Sequence, residues 1–356
     1  MAEAFADRAA VDAALAQCIE PETGSDIVSN RQVREVLDDN GALRVQVALT
    51  SHDAPLWADK RAEIEQLLRE NMPGVKDVEV EIVEHDRPPT PRGEMELKVK
   101  SVIAVGSGKG GVGKSTMAAS IAYGLKRAGA TVGLLDADVY GPSIPHLLGV
   151  DERPELINNR IQPILRGEIK VMSIGLLVPP EEAMIWRGPM LHGTISRFLA
   201  DTDWGELDYL IIDMPPGTGD VALSLSQLLP LSGAVIVCTP QDVALMDAVR
   251  AVTMFEKVHI PVLGVIENMS GFVCPDNGKR YDIFGSGGAK DRATKMEIPF
   301  LGEVPINIQV RVHGDEGTIK GVYEDEITSV PLTEICRRLV ENLRSEDSDA
   351  TSLPSL

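Results

Sequence analysis

Between Val33 and Ile82 the apolar residues fall at every second position in two separate stretches. Leu43, Val45, Val47 and Leu49 alternate with their neighbours, which is the mark of a half-buried strand. Asp38-Asp39-Asn40-Gly41-Ala42 separates this run from Val33 to Leu37 and predicts a hairpin. Val78, Val80 and Ile82 predict a third strand. Between them Ile64, Leu67 and Leu68 share one face of a helix from about Leu56 to Asn71, which Pro73-Gly74 ends. Val11 to Ile19 predicts an earlier helix, so residues 1–85 form a small α/β unit.

After Lys98 the pattern changes from alternation to short continuous apolar runs. These are Val102 to Val105, Thr131 to Leu135, Tyr209 to Ile212, Ala234 to Val237 and Val262 to Ile266. Such runs are expected of strands covered on both faces, with helical segments between them. Residues 98–344 therefore predict an α/β domain whose sheet is mainly parallel, with helices on both faces. Residues 86–97 include Asp86-Arg87-Pro88-Pro89-Thr90-Pro91-Arg92-Gly93, a proline-rich, semi-rigid linker. The acidic, serine-rich residues 345–356 predict a disordered tail.

A net charge of −20 over 356 residues repels nucleic acid and anionic lipid, and neither is expected as a partner. Such a surface fits a high-salt cytoplasm as well as an acidic mesophile. Met1-Ala2-Glu3 opens no signal peptide, and no apolar run reaches the roughly eighteen residues of a membrane span. The expectation is a cytoplasmic protein without stable membrane association. The cysteines at 18, 238, 274 and 336 are scattered, which is no disulfide framework. Cys238 and Cys336 read as core thiols, while Cys274 lies in the polar turn Val273-Cys274-Pro275-Asp276-Asn277-Gly278. His146, His192, His259 and His313 show no ligand spacing and read as structural.

The chemistry concentrates in Gly108-Lys109-Gly110-Gly111-Val112-Gly113-Lys114-Ser115-Thr116, between the first apolar run and a helix from Met117 to Arg127. Glycines let backbone N–H groups approach a phosphate, and the helix N-terminus adds to that anion site. The expected ligand is a nucleoside triphosphate. Lys114 is placed for the β/γ-phosphates, whereas Lys109, near the loop's start, is expected to point away from its own nucleotide and makes chemical sense reaching a triphosphate in a facing subunit. Asp136 and Asp138 end the second run, with Asp136 near Mg²⁺ and Asp138 orienting the attacking water. Tyr209-Leu210-Ile211-Ile212-Asp213 is an apolar strand ending in a carboxylate suited to Mg²⁺, and Gly217 follows at the γ-phosphate.

The loop with its second lysine resembles the deviant-Walker ATPases, the MinD/ParA, arsenite-pump and nitrogenase-iron-protein group, which work as nucleotide-sandwich dimers. Trp204 to Asp220, Asp138 to Ser143, Trp186-Arg187-Gly188-Pro189-Met190, Glu267-Asn268-Met269-Ser270 and Gly302-Glu303-Val304-Pro305 resemble the Mrp family of iron–sulfur carrier ATPases. The resemblance covers about Val102 to Leu343. It implies a P-loop NTPase fold, ATP as ligand, homodimerisation and cluster delivery to apo iron–sulfur proteins or assembly factors. It also implies that residues 108–116 bind the phosphates, Ser115 ligates Mg²⁺ and Asn268 faces the adenine. Ile19-Glu20-Pro21-Glu22-Thr23, Asp26-Ile27-Val28 and Pro73 to Val80 resemble the iron–sulfur-assembly domain often fused ahead of such ATPases. That family carries a cysteine before the proline at the start of the second helix; here the sequence is Ser51-His52-Asp53-Ala54-Pro55.

The second departure is at the cluster. The family's C-P-x-C lets two subunits hold a bridging [4Fe–4S] cluster through four thiolates, but here the sequence is Cys274-Pro275-Asp276-Asn277. Cys274 is left as the one thiol ligand per subunit, and two readings stay open. One is an ATP-hydrolysing cluster carrier; the other is a nucleotide-switched regulatory or scaffold ATPase that has lost the cluster.

Overall fold

The computed structural model describes residues 8–20, 22–39, 41–93, 95–139, 141–176 and 188–352. The chain divides into two compact units, one of residues 1–88 with 344–356, the other of residues 89–343.

In the first unit α1 (Arg8–Leu15) precedes β1 (Val33–Asp39), β2 (Ala42–Leu49), α2 (Trp57–Asn71) and β3 (Asp77–Glu84). The sheet order is β1-β2-β3, antiparallel in the first pair and parallel in the second. The alternating residues do what their spacing demands: Leu43, Val45, Val47, Val78 and Val80 meet Val11, Leu15, Ile64 and Leu68 of the helices in one core. The first helix ends earlier than expected, at Leu15, because the chain turns there to bridge Ile19 with Asp26. Glu20 secures that turn by accepting the Thr23 N–H at 2.9 Å.

The second unit runs through β4 (Val99–Gly106), α3 (Lys114–Ala128), β5 (Val132–Asp136) and α4 (Ile144–Leu148). Short strands β6 (Leu156–Ile157), β7 (Arg160–Ile161), β8 (Ile164–Arg166) and β9 (Ile169–Ser173) follow. Then come α5 (Gly188–Asp201), β10 (Leu207–Asp213), α6 (Asp220–Leu228), β11 (Gly233–Cys238) and α7 (Asp242–Lys257). The last elements are β12 (Val262–Val273), β13 (Arg280–Tyr281), α8 (Gly288–Lys295), β14 (Phe300–Ile306), α9 (Ile308–Asp315) and α10 (Glu326–Ser352). The central strands β12-β11-β4-β10-β5-β9 are parallel, β14 pairs β12 in parallel, and β8 and β13 pair antiparallel with β9 and β12. β4 and β10 are buried at every position, so both sheet faces are covered. Val102, Ala104, Leu210 and Ile212 pack with Phe198, Leu225 and Ala248 from α5, α6 and α7. α3 covers the other side, and Tyr323 Oη ties it to the chain before α10 by donating to the Ser120 carbonyl at 2.8 Å.

Two expectations change. Part of the proline-rich linker is bonded into the second unit: Arg92 and Leu97 exchange backbone hydrogen bonds, and Arg92 Nη1 donates to Ser232 Oγ at 3.1 Å. The tail from Ser345 is not disordered as far as Ser352 but continues α10. Between Ser345 and Ser352 no glycine or proline interrupts the helical backbone. Among the described residues no helix is long and apolar enough to cross a membrane.

Candidate nucleotide site

The glycine loop lies at the carboxyl end of β4, where it turns into α3. Gly111 and Gly113 have φ of +79° and +82°, conformations that favour glycine. At two positions the absence of a side chain also makes room. A Cβ on Gly108 would stand 2.1 Å from the Asp247 carbonyl of α7, and one on Gly113 would stand 2.2 Å from Asn268 Nδ2. Asn268, at a strand position far along the chain, donates through that nitrogen to the Val112 carbonyl at 2.9 Å. Gly217 N donates to the Ser107 carbonyl at 2.8 Å and thus bonds directly to the chain leading into the loop. Gly110 and Gly111 are exposed, Ser115 and Thr116 are half-buried at the start of α3, and a Cβ on either exposed glycine would meet nothing within 4 Å. Lys109 is half-buried and makes no side-chain hydrogen bond or ion pair among the described residues.

Beneath the loop, strand register brings the carboxylates together. Asp213 of β10 stands opposite Val105 of β4 on one side and Asp136 of β5 on the other. Lys114 Nζ, itself buried, bonds to Asp213 Oδ1 at 2.5 Å and lies 3.3 Å from Ser115 Oγ. Asp136 accepts from the Asp138 N–H at 3.1 Å, the Ile144 N–H at 3.1 Å and Ser173 Oγ at 3.2 Å. Burial, then the neighbouring Asp213, pushes Asp136 up to about 7. Burial also pushes Asp213 upward, against the pull of Lys114 and Ser115. Asp138 is buried and accepts from the Gly141 N–H at 3.3 Å.

Asp213 Oδ2 is buried with no hydrogen-bond partner among the described residues. Two carboxylates on adjacent strand ends, one with an uncommitted oxygen, beside a serine hydroxyl, fit an oxygen-coordinated divalent cation.

Cys274 lies apart from this cluster, half-exposed in the turn between β12 and β13. Its N–H donates to the Lys279 carbonyl and its carbonyl accepts from Gly278, both at 2.9 Å, while Asn277 Oδ1 accepts from the Lys279 N–H. Cys18, Cys238 and Cys336 are buried, and burial pushes each thiol up to about 12. His313 Nδ1 lies 3.0 Å from Thr318 Oγ1. Trp186 and Arg187 fall outside the described residues.

Sequence reasoning missed Ser173, which steadies Asp136 from a distant strand, and the α7 backbone that crowds Gly108. No local pattern announces either contact. Glu267, quoted above only as part of a motif, is a buried carboxylate that accepts the Gly287 and Ala289 N–H groups at the start of α8.

Comparison with known proteins identifies the family and the fold. The family described as NUBPL iron-transfer P-loop NTPase matches residues 98–343, and one described as iron-sulfur cluster assembly protein matches residues 8–82. The chain is 48% identical over 307 residues to the iron-sulfur cluster carrier protein of Deinococcus radiodurans, covering 85% of this chain and 86% of that one. It is 41% identical over 329 residues to the carrier protein of Synechocystis sp., covering 90% and 93%. Among solved structures, a nucleotide-binding protein of Archaeoglobus fulgidus in complex with ADP is 42% identical, with a TM-score of 0.58 over 64% of this chain and 90% of that one. The cell division ATPase MinD of Pyrococcus furiosus, 22% identical, shares the fold with a TM-score of 0.52 over 70% of this chain and 99% of its own.

Proposed function

The chain belongs to the NUBPL-type iron-transfer P-loop NTPases, and from that membership we propose that it binds and hydrolyses ATP and carries an iron–sulfur cluster to apoproteins as a homodimer. The observation that carries the reading is the junction of the glycine loop with Lys114, Asp213 and Asp136 at adjacent strand ends.

In this reading backbone N–H groups of residues 110–116 cradle the phosphates, and Gly217 approaches the γ-phosphate. Lys114 exchanges Asp213 for the β/γ oxygens. Ser115 and Asp213, with Asp136 behind, would hold Mg²⁺, which would neutralise charge developing on the transferred phosphoryl group. Asp138 orients the attacking water, Asn268 faces the adenine, and Lys109 of each copy reaches the triphosphate of the other. The Archaeoglobus relative's ADP supports the nucleotide assignment, and the names of the bacterial relatives support the cargo. Recipients are apo iron–sulfur proteins.

The cargo is held by Cys274, and two copies supply two thiolates where such a cluster takes four ligands. Asn277 at the second position favours a labile hold, and it is the one observation that also favours a second reading, a nucleotide-switched regulatory ATPase that has lost the cluster. Anaerobic reconstitution with iron and sulfide decides between them. A carrier gains broad absorption at about 400 nm that Cys274→Ala lacks. Identical spectra for the two proteins would leave only the regulatory reading.

A further inference from the structure

β12 joins the nucleotide loop to the turn that bears Cys274, and it does so through a kink. Asn268 faces Val304 of β14, but the next paired residues are Phe272 and Ile306, so β12 takes four steps against two. Met269 sits at φ +60°, unfavourable for a residue with a side chain, and Gly271 at φ +70°.

Ser270, buried inside the kink, has its Oγ 2.7 Å from Glu267 Oε1 and 2.5 Å from Glu303 Oε2. A serine hydroxyl carries one proton and donates to one carboxylate at a time. Glu267 also holds the start of α8, whereas Glu303 also accepts from Arg280 Nη2 at 3.3 Å. The Arg280 guanidinium reaches the Ser270 carbonyl at 3.5 Å, and a Cβ on Gly271 would come 2.6 Å from Arg280 Nε. Arg280 of β13 pairs with Val273 of β12, the residue before Cys274. Asn268, bonded to the Val112 carbonyl, and Ser270, bonded to Glu303 and close to Arg280, thus lie two residues apart on one kinked strand that leads into the cysteine turn.

We propose that Ser270, Glu303 and Arg280 are positioning residues that couple nucleotide binding at Asn268 to the placement of the Cys274 thiol. The proposal rests on the nucleotide-facing role of Asn268 given above. A base that engages the Asn268 amide competes with the Val112 carbonyl, and the kinked strand has a second arrangement, with the Ser270 proton on the other carboxylate.

Iodoacetamide labelling of Cys274, followed by peptide mass analysis on the full chain, tests this without any cluster. The other three thiols are buried, and Cys274→Ser assigns the signal. The labelling rate should change several-fold between nucleotide-free protein and protein saturated with Mg and a non-hydrolysable ATP analogue. Arg280→Ala should keep the parental nucleotide affinity and melting temperature yet lose that change, and Arg280→Lys should recover part of it. A parental protein that binds the analogue with no change in labelling overturns the proposal, as does an Arg280→Ala protein with the parental change. Failure of the parental protein to bind the analogue at all is a different result: it removes the ATPase reading, and the coupling falls with it.

Discussion

At the scale of single residues, charge placement carries the site. Lys114 is buried against Asp213, so Lys114→Ala removes the cation proposed to meet the phosphates and leaves two buried carboxylates facing each other. Nucleotide binding, measured by calorimetry, should be lost. Among the described residues Lys109 has no such partner, and Lys109→Ala should bind ATP with parental affinity but hydrolyse it slower by roughly 10³-fold or more, the scale of a charge supplied in trans. Hydrolysis at the parental rate would dismiss the cross-subunit role. Asp136 gives a pH signature. Its unfolded value is near 3.8 and its folded value about 7, so folding tightens proton binding. The stabilisation is complete below the unfolded value and disappears as pH rises through the folded one. In Mg-free buffer the melting temperature should therefore fall between about pH 4 and about pH 7, and Asp136→Asn should flatten that slope. An unchanged slope would mean that another group is titrating.

At the scale of elements, the strands and the loop were legible because their signals are local. Val102 to Val105 and Tyr209 to Ile212 announce covered strands by apolar continuity alone, and the spacing of Gly108, Gly113 and Lys114 announces the phosphate loop. What stayed hidden depends on distant partners. Ser173 supports Asp136 across 37 residues, and nothing local says that Val11 to Ile19 stops being helix at Leu15. The chain's end misled for a related reason: acidic and serine-rich composition does not by itself stop a helix already under way, as α10 shows. One packing contact makes a sharp test. A Cβ at Gly124 of α3 would lie 2.2 Å from Tyr323 Oη and 2.6 Å from Cys336 Sγ. Gly124→Ala should cost about 1–3 kcal/mol by overpacking, seen as a melting temperature lower by several degrees.

At the scale of the whole molecule, net charge and topology set the terms. A chain of net charge −20 repels its own copies, so dimerisation in Mg·ATP should strengthen as salt screens that repulsion. Sedimentation velocity across an ionic-strength series checks this, and dimers that dissociate on adding salt would count against it. Topology has a further consequence. The loop on β4, Asp136 on β5, Asp213 on β10 and Asn268 on β12 come together only because the parallel order β12-β11-β4-β10-β5 reshuffles stretches far apart in sequence. A ribosome therefore exposes the glycine loop long before it finishes the strand that bears Asn268. During synthesis the early half carries an anion cradle whose far wall does not yet exist, and nucleotide can reward only a nearly finished polypeptide. Stalled translation products cut before β12 should accordingly ignore ATP, while those extending past β14 should grip it.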